Sequence, residues 1–398
     1  MQVTLLGLGS GRSEVWTAEA RAALESASLI CGAARLLGRL PDACTENRVA
    51  ELSPAKIAQR IWRDGSSHCC VVYSGDPGFH SGARLLIPLL EEQGVKVRVL
   101  PGISSVQLLA AILRRPWQDW RLVSAHGTDC NPVAAVMQGA PAFFLTGGPH
   151  GVGELCAKLT AAGLGDLAVT VGENLACEDE TILTGVAREF AGREGAPLAV
   201  LLAEAAPPPA RPGIADGKFQ RGEVPMTKQP VRAIALAKLG LRPTDTVWDI
   251  GAGTGAMSVE LALTARSGAV YAVECNEKAW DLIETNRTRF GAWNLNLVRG
   301  SAPGVLAELP APDAVFLGGS KGNLLAIVEA VLRKNPQARL CISAIALETL
   351  HDAVAALTAH GREAHVTQAA VSDTKAVGRL HLLLAANPTF LITGGCDD

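Results

Sequence analysis

Alternating glycines in the second half of the chain follow an apolar run, and a turn of this kind can hold a phosphate or a nucleoside. The run Val247–Gly255 reads as a strand that ends in glycines, and Ala256–Arg266 then has the pattern of a helix. Glycines allow unusual backbone torsions and a close approach of a ligand, and the free N–H groups of the helix start favour negative charge. About 20 residues further on, a second strand ends in Glu274, whose carboxylate can accept both hydroxyls of a ribose. This spacing predicts a nucleoside-type cofactor site.

The glycine pattern alone leaves the identity of that cofactor ambiguous. Gly251, Gly253 and Ala256 also fit the G-x-G-x-x-A pattern of dinucleotide-binding proteins, which keeps a nicotinamide-dependent oxidoreductase open. Three features favour a methyl donor instead. Asp249 lies two residues before the first glycine, Gly255 continues the strict alternation, and a hairpin-like pair of strands follows late in the chain. We therefore predict S-adenosylmethionine as the cofactor.

The first half of the chain carries three loops rich in small residues, each directly after a predicted strand. They are Gly7–Gly11, Tyr73–Gly78 and Pro101–Ser105. The carboxyl ends of parallel strands meet at one edge of a sheet, so these loops are expected to form a second site there. Gly7–Gly11 alone is a weak nucleotide-binding signal, and the second loop could be a simple turn. The three loops together favour a binding site.

Short β-branched runs alternate with amphipathic helical stretches in both halves, which is typical of α/β sheets. In the first half the predicted strands are Gln2–Leu6, Ser28–Cys31, Cys69–Tyr73, Val95–Val99, Arg121–Ser124, Ala142–Leu145, Ala168–Val171 and Leu198–Leu202. In the second half they are Thr246–Ile250, Val270–Val273, Leu295–Val298, Ala314–Leu317, Arg339–Ile345, Glu363–Ala370 and Leu380–Ala385. The final two of these are predicted to pair as a hairpin.

A proline-rich segment, Ala205–Gly213, separates the two halves. Proline clusters stiffen a chain and interrupt regular hydrogen bonding, so this segment reads as a linker between domains. A chain of 398 residues is also long for a single hydrophobic core. We predict an N-terminal domain over residues 1–204, a linker over 205–222 and a C-terminal domain over 223–398.

Composition and charge limit the classes of partner. The formal net charge of −3 provides no basic surface of the kind that nucleic acids require. The 10 cysteines and 8 histidines show no zinc-binding spacing, which predicts reduced thiols and no metal site. The first residues lack the basic segment of a signal peptide, and no run of about 18 uncharged apolar residues occurs. We expect a cytoplasmic protein with no membrane or nucleic-acid partner.

The second half resembles the decarboxylating precorrin methyltransferase domain of cobalamin biosynthesis, from about Glu223 to the C-terminus. The stretches that carry the resemblance are Met226–Arg232, Asp249–Gly255, Val270–Asn276, Gly300–Pro303, Phe316–Ser320 and Ala344–Thr349. The resemblance implies a Rossmann-like class I methyltransferase fold. The residues that it implies as contacts of S-adenosylmethionine are Thr227, Gly251, Ala252, Gly253, Thr254, Gly255, Glu274 and Ala302. Those that it implies as substrate contacts are Gly318, Gly319 and Ser320.

The first half is similar to the tetrapyrrole (class III) methylase family over about residues 1–204. Besides the three loops, the stretches that carry this resemblance are Ser124–Gly127, Thr146–Gly148 and Val171–Leu175. The resemblance implies a domain of two α/β lobes with the sites between them. The implied contacts of S-adenosylmethionine here are Asp76, Phe79, Ser104 and Ser105. The Gly7–Gly11 loop would face the tetrapyrrole, and the candidate contacts are Gly9, Gly11 and Arg12.

Together, the two resemblances imply a small-molecule tetrapyrrole that is methylated at two meso carbons, 5 and 15, and loses carbon dioxide from its ring C acetate. Methyl transfer from a sulfonium requires no metal or acid–base triad, so positioning and electrostatics carry the rate. Because the substrate bears many carboxylates, basic side chains should anchor it. The candidates near the motifs are Arg12, Lys228, Arg232 and Lys321. Lys228 is preferred because it precedes the first helix of the methyl-donor fold.

The glycine turn also fits two other functions. One is a class I methyltransferase that acts on RNA or protein, and the other is the nicotinamide-dependent oxidoreductase. The N-terminal loops and the lack of a basic patch argue against the first of these. His126 fits a structural role and a functional role equally well. Related C-terminal domains form tetramers, so the resemblance also implies a homo-oligomer.

Overall fold

The computed structural model of the chain describes residues 1–126, 130–147 and 151–396. Contacts among these residues divide the chain into two compact units. Unit 1 comprises residues 1–130, 140–157 and 167–204, and unit 2 comprises residues 131–139, 158–166 and 205–398. None of the helices in the described ranges combines the length and the apolar character that a bilayer crossing requires.

The first lobe of unit 1 is a parallel sheet covered by helices. Its strands are β1 (Gln2–Gly7), β2 (Leu29–Gly32), β3 (Arg48–Ala50), β4 (His68–Tyr73) and β5 (Lys96–Leu100). Its helices are α1 (Ala18–Glu25), α2 (Ala34–Leu37), α3 (Pro54–Asp64), α4 (Ala83–Glu91) and α5 (Ser105–Leu113). The strand order is β3-β2-β4-β1-β5, and separate clusters of buried apolar side chains pack around it. The carboxyl ends of β4, β1 and β5 therefore lie side by side.

The second lobe of unit 1 is a mixed sheet. Its strands are β6 (Arg121–Ser124), β7 (Ala142–Leu145), β8 (Ala168–Glu173), β9 (Thr181–Val186) and β10 (Ala199–Ala203), in the order β6-β7-β10-β8-β9. Only β6 and β7 run parallel to each other. The helices of this region are α6 (Pro132–Val136), α7 (Val152–Leu159) and α8 (Ala187–Phe190). Helix α6 lies in one of the two short segments that group with unit 2.

Unit 2 is built on a seven-stranded sheet in the order β13-β12-β11-β14-β15-β19-β16. The strands are β11 (Thr246–Ile250), β12 (Ala269–Glu274), β13 (Leu295–Arg299), β14 (Ala314–Leu317), β15 (Arg339–Ala344), β16 (His365–Ala369), β17 (Ser372–Val377), β18 (Leu380–Ala385) and β19 (Thr389–Gly394). The helices are α9 (Gln229–Leu239), α10 (Ala256–Thr264), α11 (Glu277–Phe290), α12 (Leu324–Lys334) and α13 (Leu347–Ala359). Strands β11 to β15 are parallel, and β19 is antiparallel to both of its neighbours. The strands that follow β11 in the chain therefore lie on both sides of it: β12 and β13 extend the sheet on one side, and β14 and β15 extend it on the other.

Local capping fixes where the helix after β12 begins and ends. The Asn276 side chain accepts the N–H of Lys278 at 3.2 Å, and Gly291 ends the helix in the left-handed conformation. Helix α11 therefore starts directly after the end of β12, which holds Glu274 at the carboxyl edge of the sheet.

The structure confirms a mixed α/β fold, but the predicted hairpin of Glu363–Ala370 with Leu380–Ala385 is wrong. β16 pairs with β19, and β18 pairs with β17 in a separate two-stranded ribbon. The leucine-rich β18 resembles a core strand in sequence, yet every residue of the ribbon is exposed. The buried position beside β15 belongs to β19, whose last four residues are buried.

Candidate active sites

A cavity of about 280 Å³ lies at the carboxyl ends of β11, β12 and β14; we call it the C-terminal cavity. Among the predicted cofactor contacts, those that line it are Thr227, Gly251, Ala252, Gly253, Thr254, Glu274 and Ala302. The predicted substrate contacts that line it are Gly318, Gly319 and Ser320. The cavity lies where the strand order reverses direction, which is the usual position of a ligand site in an open α/β sheet.

The glycines after β11 are required by close backbone contacts. Gly251 has a φ of +78°, and a Cβ atom there would lie 2.7 Å from the backbone N of Gly319. Gly253 has a φ of +56°, and a Cβ atom there would lie 2.7 Å from the carbonyl oxygen of Pro225. Both torsions are rare in residues other than glycine. The turn can therefore pack against the segments around the C-terminal cavity only with glycine at these positions.

Glu274 holds the glycine turn from the end of the neighbouring strand. Its Oε2 accepts the N–H of Gly253 at 2.8 Å, and its Oε1 accepts the N–H of Asn276 at 2.8 Å. The residue is largely buried and lines the C-terminal cavity. The hydroxyl oxygen of Thr254 lies in the same lining, is buried, and has no hydrogen-bond partner in the described chain. The carboxylate of Glu274 thus lines this space and can bind hydroxyl groups of a ligand, whereas the Thr254 hydroxyl is covered.

Asp249 supports the turn from inside the sheet and does not line the C-terminal cavity. The hydroxyl of Ser258 donates a hydrogen bond to its Oδ2, whereas its Oδ1 has no partner within the described ranges. Burial raises the pKa of Asp249 from 3.8 to about 7, and the neighbouring carboxylate of Glu274 adds to the rise. Asp249 therefore supports the fold from inside the sheet, and its protonation state sets the charge beneath the glycine turn.

Of four further residues that the sequence predicted for the site in unit 2, three lie outside the lining of the C-terminal cavity and one lies in it. Gly255 lies outside the lining, and a Cβ atom there would lie 3.1 Å from Cγ1 of Ile283 on α11. Lys228 is exposed, directly precedes α9 and also lies outside the lining. Arg232 is fully buried and pairs with carboxylates of the protein, so its assignment as a substrate anchor is wrong. Lys321 does line the cavity. Among the described residues that form this lining, it is the only lysine or arginine.

Unit 1 contains a larger cavity of about 460 Å³, which we call the N-terminal cavity. It begins at the carboxyl ends of β1 and β4 and is also lined by residues of the second lobe, including Thr146 and Val200. The predicted residues that line it are Gly9, Asp76, Phe79, Ser104 and Ser105. Its volume falls within the range of small-molecule sites. The three loops predicted from the sequence thus do meet at one site.

Backbone contacts hold these loops together. Gly9 and Gly75 exchange N–H···O hydrogen bonds of 3.2 and 2.8 Å. Asp76 accepts the N–H of Gly102 through Oδ2 at 3.0 Å and that of Gly78 through Oδ1 at 2.8 Å. Both carboxylate oxygens of Asp76 therefore hold the loops of the cavity wall in place, and the contact of Asp76 with a cofactor stays a prediction.

Two predicted residues of unit 1 lie outside the lining of the N-terminal cavity. Arg12 is exposed and lies 3.5 Å from the carboxylate of Glu14, and Gly11 packs beside Arg39. His126 lines the cavity, and its Nδ1 lies 3.2 Å from the carbonyl oxygen of Thr146. Gly127 and Gly148, which contribute to the resemblance, lie outside the described residues.

Several residues of the two linings were not predicted from the sequence. In the N-terminal cavity these include Arg35, Glu51 and Tyr73, and in the C-terminal cavity Cys275 and Ser301. Tyr73 ends β4, and its burial raises the pKa of its hydroxyl. Cys275 and Ser301 lie two and three residues after predicted strands, Val270–Val273 and Leu295–Val298, and this position is the signal that could have identified them. No group of His, Cys, Asp and Glu with the arrangement of a metal site occurs among the described residues.

Two family models match the chain, one in each half. Residues 2–191 match the family described as tetrapyrrole (corrin/porphyrin) methylases, and residues 218–393 match the precorrin methyltransferase domain. Both descriptions place the matched regions in the class of methyltransferases.

Curated relatives narrow this class. A Sinorhizobium sp protein named precorrin-6Y C(5,15)-methyltransferase [decarboxylating] is 31% identical over 340 residues, which covers 83% of this chain and 81% of the relative. A protein of the same name from Mycobacterium tuberculosis is 30% identical and covers 80% of each chain. A Pyrobaculum calidifontis protein named probable cobalt-precorrin-6B C(15)-methyltransferase (decarboxylating) is 44% identical over 47% of this chain and 97% of its own. The chain belongs to the family of decarboxylating precorrin-6Y C(5,15)-methyltransferases, and the relatives do not support the RNA, protein or oxidoreductase alternatives.

Proposed function

We propose that this chain uses S-adenosylmethionine to methylate precorrin-6B at carbons 5 and 15 and to decarboxylate the ring C acetate, giving precorrin-8X in cobalamin biosynthesis. One observation carries the proposal: each unit has its own cavity, and glycine-containing loops at the carboxyl ends of parallel strands line both. Two methylations on one macrocycle agree with two such sites. The names of the full-length relatives support the same two positions.

The C-terminal cavity fits the methyl donor. The strand order β13-β12-β11-β14-β15, with antiparallel β19 beyond it, supports a Rossmann-like class I methyltransferase fold for the proposed domain of residues 223–398. Glu274 would exchange its hydrogen bond with Gly253 for the ribose hydroxyls, and Thr254 would contact the donor as part of the cavity wall. When bound, the donor supplies a methyl group that is already activated by a sulfonium.

Residues on the other side of this cavity would hold the macrocycle. Gly318, Gly319 and Ser320 follow β14 and face the glycine turn, and Lys321 adds the positive charge of this lining. A lysine ammonium can bind a substrate carboxylate by a charge-assisted hydrogen bond. The chain's contribution to methyl transfer is then to orient the acceptor carbon and to exclude water.

The N-terminal cavity fits a second donor and the macrocycle. Phe79, Ser104 and Ser105 would lie against the donor, and the Gly9 loop would face the tetrapyrrole. We assign methylation of carbon 5 to this cavity, and methylation of carbon 15 with decarboxylation to the C-terminal cavity. In support, a relative that matches only about half of the chain is named as a decarboxylating C(15)-methyltransferase.

Calorimetry with S-adenosylhomocysteine and mass spectrometry of the products test this proposal on the full chain. We expect two equivalents of S-adenosylhomocysteine, one for each cavity, and a product of precorrin-6B with two methyl groups gained and one carbon dioxide lost. Glu274→Ala should remove one equivalent together with carbon 15 methylation. Ser105→Phe, which fills part of the N-terminal cavity, should remove the other equivalent together with carbon 5 methylation.

The equivalent that each variant retains is an internal control for folding. Lys278→Ala, at an exposed position outside the C-terminal cavity, is the control for a charge change near Glu274. A single equivalent in the intact chain would contradict the proposal of two donor sites. Binding of NADH in place of S-adenosylhomocysteine would contradict the methyltransferase function altogether.

We also propose that the chain forms a homo-oligomer through the exposed ribbon of β17 and β18. Its large apolar side chains that face solvent are Val377, Leu380, Leu382, Leu383 and Leu384. Clustered apolar surface of this kind marks a contact with another protein surface.

A further inference from the structure

Two arginines, one on α2 and one in the turn that follows it, lie beside the N-terminal cavity. Strand β2 ends at Gly32, α2 follows it directly, and Arg35 lies on α2 in the lining of the cavity. Arg39 lies in the turn that follows α2, close enough for its charge to act on that of Arg35. Arg35 is the only arginine or lysine that lines the cavity within the described ranges. Neither residue belongs to a sequence motif.

Arg39 is fixed against the Gly9–Gly11 loop. Its Nη1 donates a hydrogen bond to the carbonyl oxygen of Ser10 at 3.0 Å. A Cβ atom at Gly11 would lie 3.3 Å from Cδ and 3.5 Å from Nη1 of Arg39, so glycine at this position leaves room for the arginine. The hydrogen bond to Ser10 uses one of the five N–H donors of the guanidinium. The remaining donors are available for a ligand at the loop that is proposed to face the tetrapyrrole.

The carboxylates of the cavity wall do not compensate this positive charge. Asp76 is occupied by the N–H groups of Gly78 and Gly102. Glu51 accepts the N–H groups of Leu52 and Ser53 through Oε1, and its Oε2 lies 3.9 Å from Lys56. In the described chain, neither Arg35 nor Arg39 forms an ion pair.

The charge of Arg35 is electrostatically disfavoured as it stands. Desolvation against the cavity wall lowers the pKa of its guanidinium, and the charge of Arg39 lowers it further. The residue nevertheless keeps access to solvent, so a ligand can approach it. Two like charges held together without a counter-ion are stabilised when an anionic group binds between them.

We propose that Arg35 and Arg39 form a subsite that binds carboxylate side chains of the tetrapyrrole and fixes which edge of the macrocycle enters the N-terminal cavity. This role rests on the proposed function, because it requires a ligand rich in carboxylates. Arginine suits the task because its planar fork of donors matches a carboxylate at two points. The subsite determines orientation, and hence which meso carbon reaches the donor in this cavity.

Variants of the full chain test the subsite with uroporphyrin, a planar tetrapyrrole that bears a carboxylate on every peripheral side chain. Binding is followed by fluorescence quenching. Arg35→Gln should weaken binding about tenfold, and the double variant with Arg39→Gln about 100-fold, because each removes a charge-assisted contact. Arg35→Lys should be intermediate, since it keeps the charge and loses the fork. Added salt should weaken binding to the wild type more than to the double variant.

Arg84→Gln is the matched control, because Arg84 is an exposed arginine on α4 outside the cavity lining. S-adenosylhomocysteine affinity should be unchanged in all variants. With precorrin-6B as substrate, Arg35→Gln should raise KM for carbon 5 methylation and leave carbon 15 methylation unchanged. Mass spectra should then show a decarboxylated product with a single added methyl group.

Unchanged uroporphyrin affinity in the double variant, or no binding of this probe to the wild type, would overturn the subsite. A parallel loss of S-adenosylhomocysteine affinity would overturn it as well, since Arg35 would then support the donor site or the fold. Uroporphyrin binding that depends on Arg35, in a chain that does not methylate precorrin-6B, would support the subsite and refute the proposed function. Failure of the subsite and failure of the proposed function therefore give different experimental results.

Discussion

Asp249 is an acidic residue whose ionisation opposes the fold. Because burial raises its pKa from the ordinary value of 3.8 to about 7, the folded chain holds a proton that the unfolded chain releases between these values. Its stabilising contribution is therefore complete below about pH 4 and is lost as the pH rises towards about 7. The difference amounts to on the order of 4 kcal/mol above that pH.

Replacing Asp249 by asparagine should remove this dependence on pH. Between about pH 5 and pH 8, the free energy of unfolding of Asp249→Asn should rise relative to that of the wild type by about 3 kcal/mol. Urea unfolding at a series of pH values measures this difference. Asp373→Asn, at an exposed position, is the control. Parallel stability curves for Asp249→Asn and the wild type would show that the carboxyl is ionised in the folded chain at neutral pH.

Arg232 shows how a basic residue beside a motif can serve the fold. Its Nη1 lies 2.7 Å from Oδ1 of Asp216, its Nε lies 3.5 Å from Oε1 of Glu260, and it donates to the carbonyl oxygen of Thr227 at 2.6 Å. Thr227 lines the C-terminal cavity, so this network holds the cavity wall from behind.

We predict that Arg232→Gln destabilises the chain by about 3–5 kcal/mol, because it leaves the buried carboxylate of Glu260 without its cation. Urea unfolding measures the loss, and Lys238→Gln on the exposed side of the same helix should change stability little. If Arg232→Gln had normal stability and bound the substrate more weakly, Arg232 would anchor the substrate, as the sequence predicted.

The site residues that could be predicted are those whose function requires a backbone feature. Gly251, Gly253 and Asp76 lie in turns with recognisable composition after predicted strands, and the structure places all three at or around the cavities. Arg35 could not be found this way, because a lone arginine in a short helix is usually a solvated surface residue. Its proximity to the loops arises from the packing of β2 beside β4, which the sequence does not display.

At the scale of elements, the turn between β11 and α10 depends on a glycine that packs against a helix. Gly255 has a φ of +76°, and a Cβ atom there would lie 3.1 to 3.3 Å from atoms of Ile283. We predict that Gly255→Ala destabilises unit 2 by about 2 kcal/mol, because the left-handed torsion and the crowding against α11 both oppose a side chain.

Thermal or urea unfolding tests this prediction, with Gly304→Ala as the control. Gly304 has no atom within 4 Å of an added Cβ and no positive φ. If Gly255→Ala kept full stability and lost affinity for S-adenosylhomocysteine, Gly255 would act on the cofactor, as the sequence resemblance implies.

Strands that are largely buried were the most predictable elements. Ala142–Leu145, Thr246–Ile250 and Ala314–Leu317 have the predicted bounds, because buried strands read as continuous apolar runs. The edge strand Arg121–Ser124 also has the predicted bounds, although none of its residues is fully buried. Four strands were missed, namely β3, β9, β17 and β19. Of these, β3 and β9 lie at sheet edges, where partial exposure weakens the apolar pattern. The order β15-β19-β16 could not be predicted, because it depends on a chain segment returning between two earlier strands.

At the scale of the whole molecule, the ribbon of β17 and β18 is the element of unit 2 that most requires a partner. Val377, Leu380 and Leu383 are 50, 67 and 72% exposed. In the described chain the two strands form a sheet of their own. An isolated two-stranded ribbon is only marginally stable in water. A second copy of the ribbon could cover these side chains symmetrically.

The double variant Leu380→Lys, Leu383→Lys tests this association, because it places an ammonium on each side of the ribbon. Since burying an unpaired charge is costly, we predict that self-association weakens at least about 100-fold. Sedimentation velocity over a range of concentrations measures the change. Leu85→Lys is the matched control, because Leu85 is 64% exposed on α4 of unit 1. A wild-type chain that sediments as a monomer, or a double variant that associates as tightly as the wild type, would contradict a role of the ribbon in assembly.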